Sequence, residues 1–308
     1  MDLRDAFFDK LYELAVADPD IILLTADMDA LSLKKFKHDL PNQYINVGIA
    51  EQQLINLAAG LALECKKVFV YAIAPFITQR CYEQIKVSLS YMNLPVTIIG
   101  MGPGVTYGSD GPTHHCTQDI ANMRALPNMV IYSVSDECVV NNIIEKCNFQ
   151  NILDSPTYIR LDKGCYPKLY SDEFVSDFGK GFMTHGVGDT VIISTGTLVH
   201  TALEVQKEVE DVCVIDLFML KPYSFLLLDN LKNVKQIITL EEHSLIGGLG
   251  SLISELLTDN NLHIPLKRLG LKDSYREMFG SRSWIHTQHD LDKPGIISAL
   301  KGAYCNES

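Results

Sequence analysis

At 308 residues, with 21% charged and 47% from the set AVILMFWYC, the chain has the profile of a globular protein, long enough for two domains of ordinary size. A formal net charge of −12 without any Lys/Arg run excludes general nucleic-acid binding, and eight cysteines without C-x-x-C spacing give neither a zinc knuckle nor a disulfide framework. No stretch approaches the roughly 20 uninterrupted apolar residues that span a bilayer, and the opening MDLRDAFFDKLYEL carries acids where a signal peptide is basic and then apolar, so a reduced, cytoplasmic protein is expected.

An amphipathic helix is expected over 2–17, then the apolar run IILLTA (21–26), a second helix over 50–64, and the runs VFVYAI (68–73), VTIIGM (96–101) and MVIYSV (129–134). A helix over 136–148 follows. A polar, Gly-containing stretch, 162–181, then precedes VIIST (191–195), a helix over 198–210, VCVIDL (212–217) and QIITL (236–240). Runs this apolar suit strands covered on both faces. Their alternation with helices predicts an α/β fold of two domains, 1–175 and 176–308, the first on a parallel sheet and the second on a mainly parallel one. Neither a solenoid repeat nor a low-complexity tract is present.

Two segments carry chemistry. In NVGIAEQQLINLAAGLALE (46–64) an extended piece ending at Gly48 runs into a helix with Leu54, Leu57, Ala58 and Leu61 on one face, which puts Glu51 at the helix start. Alone, a carboxylate there need be no more than a favourable charge against the helix dipole. In GVTYGSDGPTHHCTQDIANMR (104–124), Gly104, Gly108, Gly111 and Pro112 enforce a loop presenting Asp110, Thr113, His114 and His115 just before a helix. Open α/β sheets bind ligands in such loops. A solvated turn with a satisfied histidine is the plain alternative, but a carboxylate and two histidines so close together suit proton transfer. Adjacent histidines on one turn point apart and no remote ligand cluster is visible, so no metal ligand is assigned. Gly247, Gly248 and Gly250 lack the G-x-G-x-x-G spacing and read as a tight helix entry.

N-V-G-I-A-E-Q with its small-residue helix, then G-S-D-G-P-T-H before D-I-A-N-M-R, resembles the pyrimidine-binding domain of transketolases and of 1-deoxyxylulose-5-phosphate synthases in order and spacing. YIRLDKG (158–164) resembles that domain's last strand, and TLEEHSLIGGLGS (239–251) the family's C-terminal domain. The resemblance implies a thiamine diphosphate cofactor and transfer of a two-carbon ketol unit from a ketose to an aldose. Glu51 matches the glutamate that hydrogen-bonds the pyrimidine nitrogen and promotes the imino tautomer, a role open to a desolvated carboxylate. Phe76 matches the ring packed on the aminopyrimidine, with Ile73 and Gln79 in the same cofactor-facing segment; Ile73 stands where transketolases have a second phenylalanine. Asp110 and His114 match residues that bond substrate hydroxyls and assist proton movement, and His115 falls where many relatives have glutamine. Arg4 and Arg160 match two arginines that grip the substrate phosphate, although structural ion pairs are an equally ordinary use of arginine.

Two other phosphate partners are replaced. Gly102 stands where a histidine is expected eight residues before Asp110, and Leu31, beside Ser32, where a serine is expected four residues after Asp27. The phosphate site is thereby thinner, which leaves an unphosphorylated or unusual sugar open. The family's diphosphate domain carries G-D-G and an asparagine pair that bind metal and phosphates. No such motif occurs here, since Gly188-Asp189 is followed by Thr190 and leads into a strand. The chain is therefore expected to be the C-terminal subunit of a split transketolase. An N-terminal subunit would hold the diphosphate with its Mg2+ or Ca2+, in an α2β2 heterotetramer acting on sugars or sugar phosphates, without nucleic-acid or membrane partners. Three alternatives stay open: a deoxyxylulose-phosphate-synthase-like enzyme, suggested by QRCYEQ (79–84); a chain of the 2-oxoacid dehydrogenase beta type, against which D-G-P-T-H counts; and a non-catalytic scaffold, against which Glu51, Asp110 and His114 together count.

Overall fold

The computed structural model describes residues 2–149, 155–171, 178–275 and 279–304. Twelve strands are present among them: β1 (Ile21–Thr25), β2 (Tyr44–Asn46), β3 (Lys67–Ile73), β4 (Val96–Met101), β5 (Val130–Ser133), β6 (Thr157–Leu161), β7 (Met183–His185), β8 (Thr190–Ser194), β9 (Val212–Asp216), β10 (Met219–Lys221), β11 (Gln236–Ser244) and β12 (Leu266–Leu271). All seven apolar runs form strands, and YIRLDKG supplies β6. The additional β2, β7 and β10 have three residues each, too few to show a period, and β12 carries the exposed Lys267 and Arg268.

The strands form two sheets, ordered β10-β5-β6-β4-β3-β1-β2 and β12-β11-β8-β9-β7. Both are mostly parallel, with an antiparallel edge strand each: β10 against β5 and β7 against β9. The parallel first sheet expected from sequence is present, with one antiparallel edge strand, β10, supplied by the second half of the chain. The expected boundary at 175 lies outside the described residues.

Strand side chains alternate between faces, which divides the apolar residues among three cores. Leu24, Val70 and Ile98 pack under the helix Glu51–Leu63, in a core that continues to Ile193, Ile215 and Ile237 of the second sheet. Leu23, Phe69 and Ile99 face the other way, onto Phe7, Phe8 and Leu11 of the helix Leu3–Ala17. Ile192, Val214 and Ile238 pack on the helices Leu198–Gln206 and Lys293–Tyr304. Because the first of these cores spans both sheets, the two domains are packed against one another. Among the described residues no helix is long and apolar enough to cross a membrane.

Candidate active site

β1, β2, β3, β4 and β6 run parallel, so their C-terminal ends open on one edge of the first sheet, where parallel sheets place ligands. Glu51 follows β2, Phe76 follows β3, the loop bearing Asp110 and His114 follows β4, and Lys163 follows β6. Topology gathers these distant residues.

Glu51 begins its helix, and its side chain is 4% exposed. Arg80 Nη1 donates to its Oε2 at 2.8 Å, while Oε1 has no hydrogen-bond partner among the described residues. Arg80 thereby supplies a charge-assisted donor to a carboxyl group otherwise cut off from water. The same guanidinium lies over the Phe76 ring, 4.3 Å from its centroid. Phe76 meets His114 edge-on at 5.2 Å, His114 lies 6.3 Å from the Tyr107 ring, and the Lys163 ammonium sits 4.3 Å from that ring's centroid. Arg80, Phe76, His114, Tyr107 and Lys163 therefore form a row with a cation at each end.

The remaining sequence-derived residues take up different positions. His114 Nδ1 is 3.0 Å from Thr113 Oγ1, and Asp110 is exposed at the end of the turn Gly108–Asp110. Ile73 is half-buried at the end of β3, and Gln79 Nε2 donates to Gln118 Oε1 at 2.8 Å. His115 is buried; desolvation pushes its imidazole below the usual histidine value, against the opposing pull of the Gly108 and Tyr107 backbone. Arg4 is partly exposed, with Nε 3.4 Å from Asp5 Oδ1. Arg160 is buried: its Nε donates to Asp119 Oδ2 at 2.8 Å and its Nη2 to the Glu242 carbonyl at 2.7 Å. Asp119 Oδ2 also accepts the Tyr158 hydroxyl at 2.8 Å. Among the described residues no three His, Cys, Asp or Glu side chains are grouped to hold a metal ion.

The loop is closed at its base by the backbone pair Gly104 and Cys116 and is held from the second domain. Glu242 Oε1 accepts the Val105 N–H at 2.7 Å, and Gly280 N–H donates to the Gly108 carbonyl at 3.3 Å. Arg80, Tyr107, Lys163, Glu242 and Arg282 were not foreseen as site residues. Arg80 adjoins Gln79 in QRCYEQ, and Glu242 belongs to an acid pair closing an apolar strand, which are signals of a kind. Arg282 has none, being 40 residues from the Glu242 that it binds.

Family models for the transketolase pyrimidine binding domain and the transketolase C-terminal domain match residues 1–168 and 179–296. The chain is 34% identical over 302 residues to an apulose-4-phosphate transketolase subunit of Phocaeicola vulgatus, covering 95% of this chain and 94% of that one. It is 32% identical over 305 residues to the 6-deoxy-6-sulfo-D-fructose transketolase subunit SqwH of Clostridium sp. (strain MSTE9), covering 96% and 92%. With the 1-deoxy-D-xylulose-5-phosphate synthase of Gloeothece citriformis it shares 35% identity over 276 residues, which is 87% of this chain and 43% of the synthase. A split gene transketolase solved as an inactive beta4 tetramer superposes with a TM-score of 0.85 at 30% identity over 98% of both chains. Domains of this kind imply thiamine diphosphate as the cofactor. The two matched domains, in this order and over nearly the whole length, show that the chain belongs to the transketolase family.

Proposed function

We propose that this chain is one subunit of a thiamine-diphosphate-dependent transketolase, supplies the carboxylate that activates the cofactor, and serves transfer of a two-carbon ketol unit from a ketose to an aldose. The observation that carries this reading is the state of Glu51. It is buried at the C-terminal edge of the parallel strands, with Oε2 held by Arg80, whose guanidinium also covers Phe76, and Oε1 without a protein partner among the described residues. That arrangement suits an aminopyrimidine: Oε1 can hold a proton at a ring nitrogen, and Phe76, with Ile73 and Gln79 alongside, can pack on the ring. Thiamine diphosphate, when bound, supplies a carbon nucleophile and an electron sink. His114 and Asp110 bond substrate hydroxyls and move protons during cleavage; Arg4 meets the far end of the sugar. His115, next to His114, is buried, and desolvation lowers its imidazole below the usual histidine value.

We assign the diphosphate and its Mg2+ or Ca2+ to an N-terminal partner subunit, in a cytoplasmic α2β2 assembly. The relatives matched over 94% and 92% of their own length are themselves named as transketolase subunits, which supports a divided enzyme. The test is reconstitution with that partner, thiamine diphosphate, a ketose and an aldose. Glu51→Ala should lower turnover by at least about a hundredfold, the lower end of what a positioned proton-transfer group contributes. Unchanged turnover would make the chain a scaffold. Carbon dioxide released from pyruvate and a phosphorylated aldose, with no ketol transfer, would establish the synthase chemistry instead.

A further inference from the structure

Gly108 and Gly111 flank Asp110, and one dipeptide of the second domain, Phe279-Gly280, touches both. Gly108 belongs to the turn Gly108–Asp110 and has no positive φ, so its backbone conformation does not call for glycine. Its surroundings do: a Cβ there would fall 2.5 Å from the Gly280 carbonyl oxygen and 3.2 Å from Ile285 Cδ1. Gly111 has φ +76° and ψ −172°, a region essentially confined to glycine, and a Cβ on it would meet the Phe279 ring at 3.2 Å. The dipeptide is in turn fixed from its C-terminal side. A Cβ at Gly280 would lie 2.8 Å from Trp284 Cε3, Ser281 Oγ accepts the Trp284 N–H at 3.2 Å to open the helix Arg282–Gln288, and Arg282 is anchored on Glu242 and Asp162. The turn itself has little else to hold it. Asp110 N–H donates to the Tyr107 carbonyl at 2.9 Å and His114 N–H to the Gly111 carbonyl at 3.0 Å, while the exposed Asp110 carboxylate accepts no hydrogen bond among the described residues.

We propose that Phe279 is a positioning residue: its ring, seated on Gly111, fixes the turn that presents the Asp110 carboxylate to a substrate hydroxyl, so that a side chain of the second domain sets the geometry of a group on the first. The inference rests on the ketol-transfer reading and adds that Asp110 acts only with the second domain in place. An exposed phenylalanine is ordinary by itself. This one is 69% exposed, so its ring adds little to the core, yet it covers one flank of Asp110 while the next residue grips the other.

The test uses the enzyme reconstituted from both subunits with thiamine diphosphate, a ketose donor and an aldose acceptor. Phe279→Ala should leave the urea midpoint near that of the wild type and lower kcat/KM at least about tenfold, within the hundredfold that a small misplacement of a reacting group costs. Phe279→Leu keeps apolar bulk over Gly111 and should recover most of the loss. In an Asp110→Asn background, Phe279→Ala should have no further effect, because the group that it positions is already gone. Equal losses in both backgrounds, or no loss in either, would overturn the assignment while leaving ketol transfer standing. So would a lowered urea midpoint that Phe279→Leu does not restore, which makes the ring a packing residue. Hydrogen exchange gives a check free of turnover and decides the matter alone if Asp110→Asn is inactive: in Phe279→Ala the Asp110 and His114 amides should exchange faster, with β3 and β4 as protected as before. Unaltered exchange at those two amides also overturns the proposal. No ketol transfer by the unmodified enzyme would instead defeat the underlying reading.

Discussion

Glu242 Oε1, on β11 of the second sheet, accepts the backbone N–H of Val105, at the root of the loop that carries Asp110 and His114, at 2.7 Å. The same carboxylate binds Arg282 Nε at 3.0 Å, and Arg282 Nη2 reaches Asp162 Oδ2 at 2.6 Å and Thr197 Oγ1 at 3.0 Å. Ends of β6, β8 and β11 are thereby clamped by one guanidinium. Burial acts to raise the Glu242 carboxyl, but Arg282 and His286 hold it well below the usual range, so the clamp is present above the unfolded value of 4.5 and fades only in strong acid. Arg282→Met leaves two buried carboxylates without their cation and should cost about 3–5 kcal/mol in urea unfolding at pH 7. A loss under about 1 kcal/mol would mean that the clamp contributes nothing net.

Arg80 bonds Glu51 and covers Phe76, two residues assigned to the same cofactor ring. Arg80→Met should therefore weaken thiamine diphosphate binding by the assembled enzyme about tenfold, the scale of one charge-assisted hydrogen bond. Arg80→Lys keeps the charge without the flat fork, so it should recover only part of this. Cofactor titration of the complex, read by activity, decides the matter. An unchanged midpoint in Arg80→Met would reduce the contact to a surface pair.

How much of this was legible depends on the scale of the signal. Strands covered on both faces read as unbroken apolar runs, so all seven runs became strands, whereas three-residue edges such as Met219–Lys221 leave no pattern. Glu51 and His114 stood out because their spacing is carried in short contiguous motifs. Their partners did not. Arg80 meets Glu51 across 29 residues, and Tyr107 fills the space above Gly102 through a collision visible only once the loop is folded. Arginine is the sharpest case: nothing local distinguishes Arg160, turned inward to Asp119, from Arg4, which is partly exposed.

That inward turn yields its own prediction. Asp119 is fully buried, and Arg160 is its guanidinium partner. Arg160→Met strands the carboxylate and should cost about 3–5 kcal/mol. Under conditions where the variant remains folded, KM for anionic donors should be unaffected. A raised KM with unaltered stability would return Arg160 to the substrate site.

Asp216 ends β9 in the interior, where Oδ2 accepts the Ser135 hydroxyl at 2.5 Å and the Tyr170 hydroxyl at 2.6 Å, while Oδ1 has no partner among the described residues. Desolvation pushes its carboxyl up to about 7; the two hydroxyls pull it down and Asp136 pushes it further up. The unfolded group ionises near 3.8. The folded state therefore keeps a proton that the unfolded chain releases, and the stability this gives is complete below the unfolded value and lost as pH rises through about 7. Asp216→Asn cannot ionise. Its unfolding free energy relative to wild type should grow by up to about 4 kcal/mol between roughly pH 4 and pH 7.5, at about 1.36 kcal/mol for each pH unit separating the folded and unfolded values. Urea titrations at intervals across that range provide the measurement. A difference that stays constant with pH would show that Asp216 ionises as freely in the folded protein as in the unfolded one.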